Sequence, residues 1–352
     1  MKYRPEIDGL RAIAVIPVIL FHAGFELFSG GFVGVDVFFV ISGYLITTIL
    51  IEDIESKRFS IIDFYERRAR RILPALLFVM LVCVPFAWIW MLPSQLESFS
   101  ASMASVSIFL SNLYFLSQVN YFAPSAELQP LLHTWSLAVE EQFYLFIPPL
   151  LFLTFKLGRS SSFFVITFLL ILSFSFSEWA GRENAERNFF FSLSRFWELF
   201  AGSIVAFIVQ KRGVVENNAM SLFGLAAIIF AIFAYDKNTP FPSYYALAPV
   251  LGTASLILYA EKKTLVAQFL SSSVLVGIGL ISFSAYLWHQ PIFAFARIRL
   301  NHEPSLELMG LLSLLSMILA VLSWRYIEKP FRKKGVGHFG RKFIFTISSI
   351  SI

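Results

Sequence analysis

Arg11 and His22 are the two ionisable side chains in Leu10-Arg-Ala-Ile-Ala-Val-Ile-Pro-Val-Ile-Leu-Phe-His-Ala-Gly24, a run otherwise apolar enough to enter a bilayer. Placing an ionisable group at mid-membrane costs about 3 kcal/mol or more, so such a group is seldom there without a use. Written as a helix at ~1.5 Å per residue, the run puts His22 ~16 Å beyond Arg11, about half the thickness of a hydrocarbon core. An imidazole can take and return a proton near neutral pH, and here a fixed cation would sit nearer one surface. The plainer alternative is a histidine bonded to a neighbouring helix.

Other polar groups fall at similar depth. In His133-Thr-Trp-Ser-Leu-Ala-Val-Glu-Glu-Gln-Phe-Tyr144, His133 and Glu140 share a helical face if the helix begins early enough. Glu140 and Glu141 are adjacent, point in different directions, and need separate partners or a proton. In Tyr286-Leu-Trp-His-Gln-Pro291 the proline frees a carbonyl beside His289. Arg195, Glu198 and Gly202 fall on one helix face, which reads as a structural ion pair over a glycine notch. Asp36 lies near one end of the second apolar run, and Ser42-Gly43 near its middle. Ser-Gly is a close-packing notch that would leave room for a narrow ligand. These residues suit an enzyme working across the bilayer, or a proton-coupled transporter with a His/Glu relay.

The elements that position them are membrane helices. The chain has 352 residues, of which 57% are hydrophobic, 17% aromatic and 14% charged. Its mean hydropathy is +0.72. A soluble domain carries roughly 25% charge, so the composition is that of an all-α integral membrane protein. The net charge of +5 marks cytoplasmic loops and not a nucleic-acid partner. One cysteine, Cys83, rules out an intrachain disulfide.

Apolar windows long enough to span fall near 10–28, 32–52, 73–92, 135–155, 162–178, 193–210, 219–235, 244–260, 271–296 and 305–325. The window 101–118 is a further candidate. The basic residues decide it: if this window does not cross, Lys156, Arg159, Lys211, Arg212, Lys262, Lys263, Arg325 and Lys329 all fall on the side of the N-terminus. The expectation is therefore a bundle of about ten transmembrane helices, N-terminus cytoplasmic, with 101–118 re-entrant or interfacial. Residues 1–335 form the membrane domain, and 336–352 a basic linker with the stub of a possible eleventh helix. Arg67, Arg68, Arg70 and Arg71 crowd the cytoplasmic loop between the second and third spans. Anionic lipid headgroups or a phosphorylated ligand would suit them.

The sequence resembles the acyltransferase family 3 membrane proteins, which include bacterial O-antigen and peptidoglycan O-acetyltransferases. Six elements carry the resemblance in order: Arg11 with His22; Phe38-Phe-Val-Ile-Ser42-Gly43; Arg67-Arg-Ala-Arg-Arg-Ile-Leu-Pro74; His133-Thr-Trp135-Ser-Leu-Ala-Val-Glu140-Glu141-Gln-Phe-Tyr144; Arg195-Phe-Trp-Glu198; and Ser284-Ala-Tyr-Leu-Trp-His289-Gln-Pro291. The resemblance implies a bacterial inner-membrane enzyme that transfers an acyl group, acetyl above all, from cytoplasmic acyl-CoA to a hydroxyl of a polysaccharide or lipid-linked glycan outside. No metal is implied.

On that footing Arg67, Arg68, Arg70 and Arg71 hold the CoA phosphates, and the pantetheine passes Ser42 and Gly43. His22 is general base or transient acyl acceptor, oriented by Glu140 or Glu141, and Arg11 binds CoA or stabilises the thioester oxyanion. His133, Trp135, Arg195, Glu198 and His289 serve substrate or structure. A non-catalytic acyl carrier for a partner transferase is a further alternative. Some relatives carry an extracytoplasmic SGNH-type domain, which these residues do not include.

Overall fold

The computed structural model describes residues 3–119, 126–300 and 302–332 of the chain. The expected linker and helix stub at 336–352 lie outside the described residues. Helices run in the order α1 Pro5–His22, α2 Gly34–Glu55, α3 Ile61–Trp90, α4 Pro93–Ser107, α5 Ser111–Ser117, α6 Thr134–Phe155, α7 Arg159–Glu183 and α8 Ala185–Phe190. They continue as α9 Ser192–Arg212, α10 Asn218–Ala234, α11 Leu247–Tyr259, α12 Leu265–Leu270, α13 Ser273–Leu300, α14 Leu306–Ser323 and α15 Lys329–Arg332. A π-turn, Trp324–Glu328, joins the last two. No strand occurs among the described residues.

Each apolar window contains a helix, and six helical stretches are long and apolar enough to cross a membrane. The outward faces are those of a protein dissolved in lipid. α14 exposes Leu311, Leu314, Ile318 and Val321 while burying Ser313, Ser316, Ala320 and Ser323. α7 likewise exposes Phe164, Phe168 and Leu172 and buries Ser162, Ser173 and Ser177. In water this pattern would be inverted; in hydrocarbon, small polar residues belong between helices, where their hydroxyls find carbonyls. The chain is thus a multi-pass all-α membrane protein.

The window 101–118 is not one helix. α4 and α5 are separated at Ile108–Leu110, where Phe109 takes a left-handed φ of 55°. At ~1.5 Å per residue neither piece reaches across a ~30 Å core alone. Two further boundaries differ from the sequence reading. α1 begins at Pro5 and ends on His22, so the imidazole stands at a helix terminus. Gly24, with φ 85°, turns the chain out of the helix there. α3 begins at Ile61, capped by Ser60, whose hydroxyl accepts from the Asp63 amide at 3.3 Å. The basic cluster is therefore the opening of the long helix itself and not a loop before it.

The helices form two compact units. The first comprises Met1–Phe21, Phe25–Phe59 and Val139–Leu280, in their described parts; the second comprises those of His22–Gly24, Ser60–Ala138 and Ile281–Ile352. Within the first, α2 packs most closely on α9. A Cβ on Gly43 would lie 1.9 Å from the Leu199 carbonyl oxygen, and one on Gly202 would lie 2.0 Å from that of Val40. Two backbones meet where two glycines face each other's helix, so the Ser42-Gly43 notch is filled by α9 and does not leave a channel beside Gly43 as expected.

Gly43→Val forces these backbones apart, and overpacking of this kind costs ~1–3 kcal/mol or more. The unfolding midpoint of the detergent-solubilised protein is expected to fall by several degrees. Gly277→Ala, with nothing within 4 Å of the added carbon, is expected to leave it unchanged.

Candidate active site

Three imidazoles gather in the second unit. The ring centroids of His22 and His289 are 5.1 Å apart, and those of His289 and His133 are 5.4 Å apart. His133 is 3% exposed and His289 0%, whereas His22 is only partly buried. His289 Nδ1 lies 2.6 Å from the Tyr286 carbonyl oxygen, a contact that requires the proton on Nδ1. In the neutral ring this leaves the lone pair on Nε2, which has no hydrogen-bond partner among the described residues. The ring nitrogens of His133 also close no hydrogen bond there, although the carbonyls of Leu287 and Pro130 face the ring. Pro291 has no N–H to offer the carbonyl four residues back, so the Leu287 oxygen is the one the proline frees.

The cluster is held by α13. The Tyr286 hydroxyl donates to the His133 carbonyl at 2.8 Å and therefore accepts from Ser136, 2.7 Å away. Ser284 donates to Glu328, a carboxylate 0% exposed that also takes Arg332. Trp288 Nε1 donates to Ser323 at 2.7 Å, and Gln290 Nε2 to the Gln129 carbonyl at 3.1 Å. Every second residue from Ser284 to Gln290 thus ties α13 to another part of the chain. The His22 carbonyl, an orphan of the helix terminus, accepts from Arg297 Nη2 at 3.0 Å.

The basic cluster divides. Arg70 is buried and forms an ion pair with Glu66 at 2.9 Å, one helical turn earlier. Arg70 thus differs from its three neighbours in burial, with an intrahelical carboxylate as its partner. Arg67, Arg68 and Arg71 are only partly buried.

In the first unit, Glu140 takes hydrogen bonds from Ser42 at 3.1 Å and from Tyr144 at 3.0 Å. Gln142 accepts from Ser192. Arg11 faces Asp8 at 3.6 Å. Arg195, fully buried, meets Glu198 at 2.8 Å and Asp36 at 3.1 Å, with Phe189 and Phe241 stacked at 5.2 Å from its guanidinium carbon. The pair expected within one helix is thus a three-residue cluster spanning α2 and α9. Trp135 is buried in the second unit, and His133 precedes α6, so it shares no helical face with Glu140.

Asp36, Glu66, Ser136, Arg297 and Glu328 were not singled out as site or cluster members. Asp36 carried a usable signal: a carboxylate inside a span demands a cation, and Arg195 is an intramembrane cation with room for a second partner. Arg297 reads in sequence only as a loop charge. Among the described residues no group of three or more His, Cys, Asp or Glu is arranged to hold a metal ion.

Arg195→Met would strand two buried carboxylates, and breaking such a cluster costs ~3–5 kcal/mol. Tyr286→Phe loses two neutral hydrogen bonds, but Ser136, 3.3 Å from the His133 carbonyl, can still serve that oxygen, so the cost is ~1–2 kcal/mol. Thermal unfolding in detergent should show at least twice the destabilisation for the first variant.

The family model described as an acyltransferase domain matches residues 4–325. Among curated proteins, O-acetyltransferase OatA of Staphylococcus aureus strain NCTC 8325 is 34% identical over 359 residues, covering 96% of this chain and 58% of its own length. The proteins of the same name from strains COL and MRSA252 match to the same extent. The chain therefore spans less than two thirds of these relatives. No solved structure matches. With a family match across nearly the whole chain and an all-helical membrane architecture, the chain belongs to the acyltransferase 3 family of membrane proteins.

Proposed function

We propose that the chain transfers an acetyl group from cytoplasmic acetyl-CoA to a hydroxyl of a cell-envelope glycan on the opposite face of the membrane. The observation that carries this reading is the buried imidazole cluster with its single partly exposed member, His22, in a chain of an acyltransferase family. The name O-acetyltransferase borne by the relatives supports acetyl as the group and oxygen as its acceptor. The positive-inside pattern supports an N-terminus in the cytoplasm.

In this reading His22 takes the proton from the acceptor hydroxyl as its oxygen bonds to the thioester carbonyl carbon. It returns that proton to sulfur when the carbon–sulfur bond breaks, so CoA leaves as the thiol. His289 and His133 surround the reacting imidazole with aromatic rings and keep water scarce. Arg67, Arg68 and Arg71 hold the phosphates of the donor, since guanidinium forks match phosphate oxygens in pairs. Arg70, buried and paired with Glu66, adds positive charge beside them. Ser42 remains a proposed contributor to donor binding, and Glu140, Glu141 and Arg11 remain proposed catalytic groups, each testable by substitution.

Mass spectrometry of the envelope glycan is expected to show acetylation that depends on this protein and disappears in His22→Ala, while the variant still inserts in the membrane. Near-normal acetylation in that variant removes His22 from the mechanism. Arg67→Ala with Arg68→Ala is expected to raise the KM for acetyl-CoA by about tenfold or more, a charge-assisted hydrogen bond being worth roughly 1.5–3 kcal/mol. Substrate movement in liposomes without use of acetyl-CoA would replace the enzyme by a transporter.

A further inference from the structure

α13 grips residue 22 at two points. His289 packs its ring on the His22 imidazole, the centroids 5.1 Å apart. About two turns further along the same helix, Arg297 donates through Nη2 to the His22 carbonyl oxygen at 3.0 Å. Side chains of a helix lean toward its N-terminus, so Arg297 reaches back toward His289 and both grips converge on one residue.

The carbonyl needs this donor. α1 ends at His22, and Gly24, with φ 85°, turns the chain away. The Phe25 amide past the turn goes to the Leu20 carbonyl at 3.1 Å and does not serve residue 22. The His22 oxygen stands at the negative end of the helix dipole, where a guanidinium is a strong match. Arg297 is itself pinned from its other side. Its Nε lies 3.4 Å from Glu303 and 3.9 Å from Glu127, both exposed carboxylates, while Arg297 is only 7% exposed. A neutral amide could satisfy one carbonyl; a buried cation costs more, and its planar fork holds its partners in fixed directions. A cavity of about 730 Å³, lined also by Trp90, Arg299 and Glu303, opens on this fork.

We propose that Arg297 is a positioning residue for the transfer reaction: its bond to the His22 carbonyl, with the packing of His289, sets the direction in which the His22 imidazole presents its lone pair. The inference rests on the O-acyltransferase reading above, in which His22 takes the proton of the acceptor. Carbonyl and imidazole hang from the same α-carbon, so a backbone free to turn at residue 22 swings the ring with it. A displacement of ~1 Å can cost about a hundredfold in rate. Arg297 touches no reacting atom in this scheme, so its loss acts on kcat and not on the binding of the donor.

The full chain in phosphatidylcholine nanodiscs is prepared with carbon-13 in the histidine carbonyls and nitrogen-15 in alanine. His22-Ala23 is the one His-Ala pair in the sequence, so a single resonance reports the His22 carbonyl. In Arg297→Ala that resonance is expected to move upfield, as for a carbonyl that loses a hydrogen bond. With acetyl-CoA and isolated cell-envelope glycan, kcat is expected to fall about tenfold or more while the KM for acetyl-CoA stays within about twofold. Methylguanidinium, small enough to enter the cavity, is expected to return both the resonance and the rate. Arg299→Ala removes a cation from the same cavity that makes no bond to residue 22, and is expected to change neither. Arg297→Lys, read by the same two signals, serves where the alanine variant does not fold. An unmoved resonance in Arg297→Ala overturns the contact. A displaced resonance with kcat unchanged overturns the positioning role and leaves the enzyme reading intact. An equal loss of kcat in Arg299→Ala assigns the effect to cavity charge and overturns the role likewise. A resonance that follows Arg297 and methylguanidinium, in a wild-type protein that transfers no acetyl group, upholds the tether and overturns the enzyme reading.

Discussion

A guanidinium cut off from water must be met by anions, and Arg195 obtains two from different helices. Asp36 projects from α2 and Glu198 from α9, so satisfying the arginine fixes one helix against the other. The same pair of helices meets again at Gly43 and Gly202, where backbone touches backbone. Apolar matching alone would not set this register, since lipid chains wet a leucine face as well as another helix does. The polar cluster and the glycines together select one arrangement out of many that are equally oily.

The second unit solves a similar problem with uncharged donors on one helix. Ser284, Tyr286, Trp288 and Gln290 lie along α13 and tie it to two stretches, 129–133 before α6 and 323–328 at the end of α14. Between them sits His289, whose ring is tied by one nitrogen to its own helix. A functional imidazole in hydrocarbon needs a fixed tautomer, and a fixed tautomer needs a fixed helix. On the proposed function, the hydrogen bonds around α13 bear on chemistry even where their side chains touch no substrate.

Much of this was legible in the residues. Hydropathy located the helices because apolar residues dominate each window whether they face outward or inward, and the Ser- and Asn-rich 101–118 stretch declared itself different. The ends of helices were harder. The end of α1 at His22 depends on one left-handed glycine, and the start of α3 on one serine cap, neither of which alters a hydropathy average. Pairings across the bundle were harder still. Arg70 looked like its three neighbours in the cluster until Glu66 proved to lie beneath it. The Ser42-Gly43 notch signals close approach from sequence, but only the fold says that a helix fills it.

The π-turn at Trp324–Glu328 changes how the last helix must be counted. One residue more per turn rotates everything downstream by about 100° relative to a regular helix. The wider turn brings Glu328, 0% exposed, toward the same inward face as Ser323 five residues earlier, which a regular helix would not. A helical wheel drawn straight through Leu306–Arg332 would assign its final residues to the wrong azimuth. Alignments that tolerate a one-residue gap at this point would keep the inward carboxylate in phase, and those that forbid it would lose it.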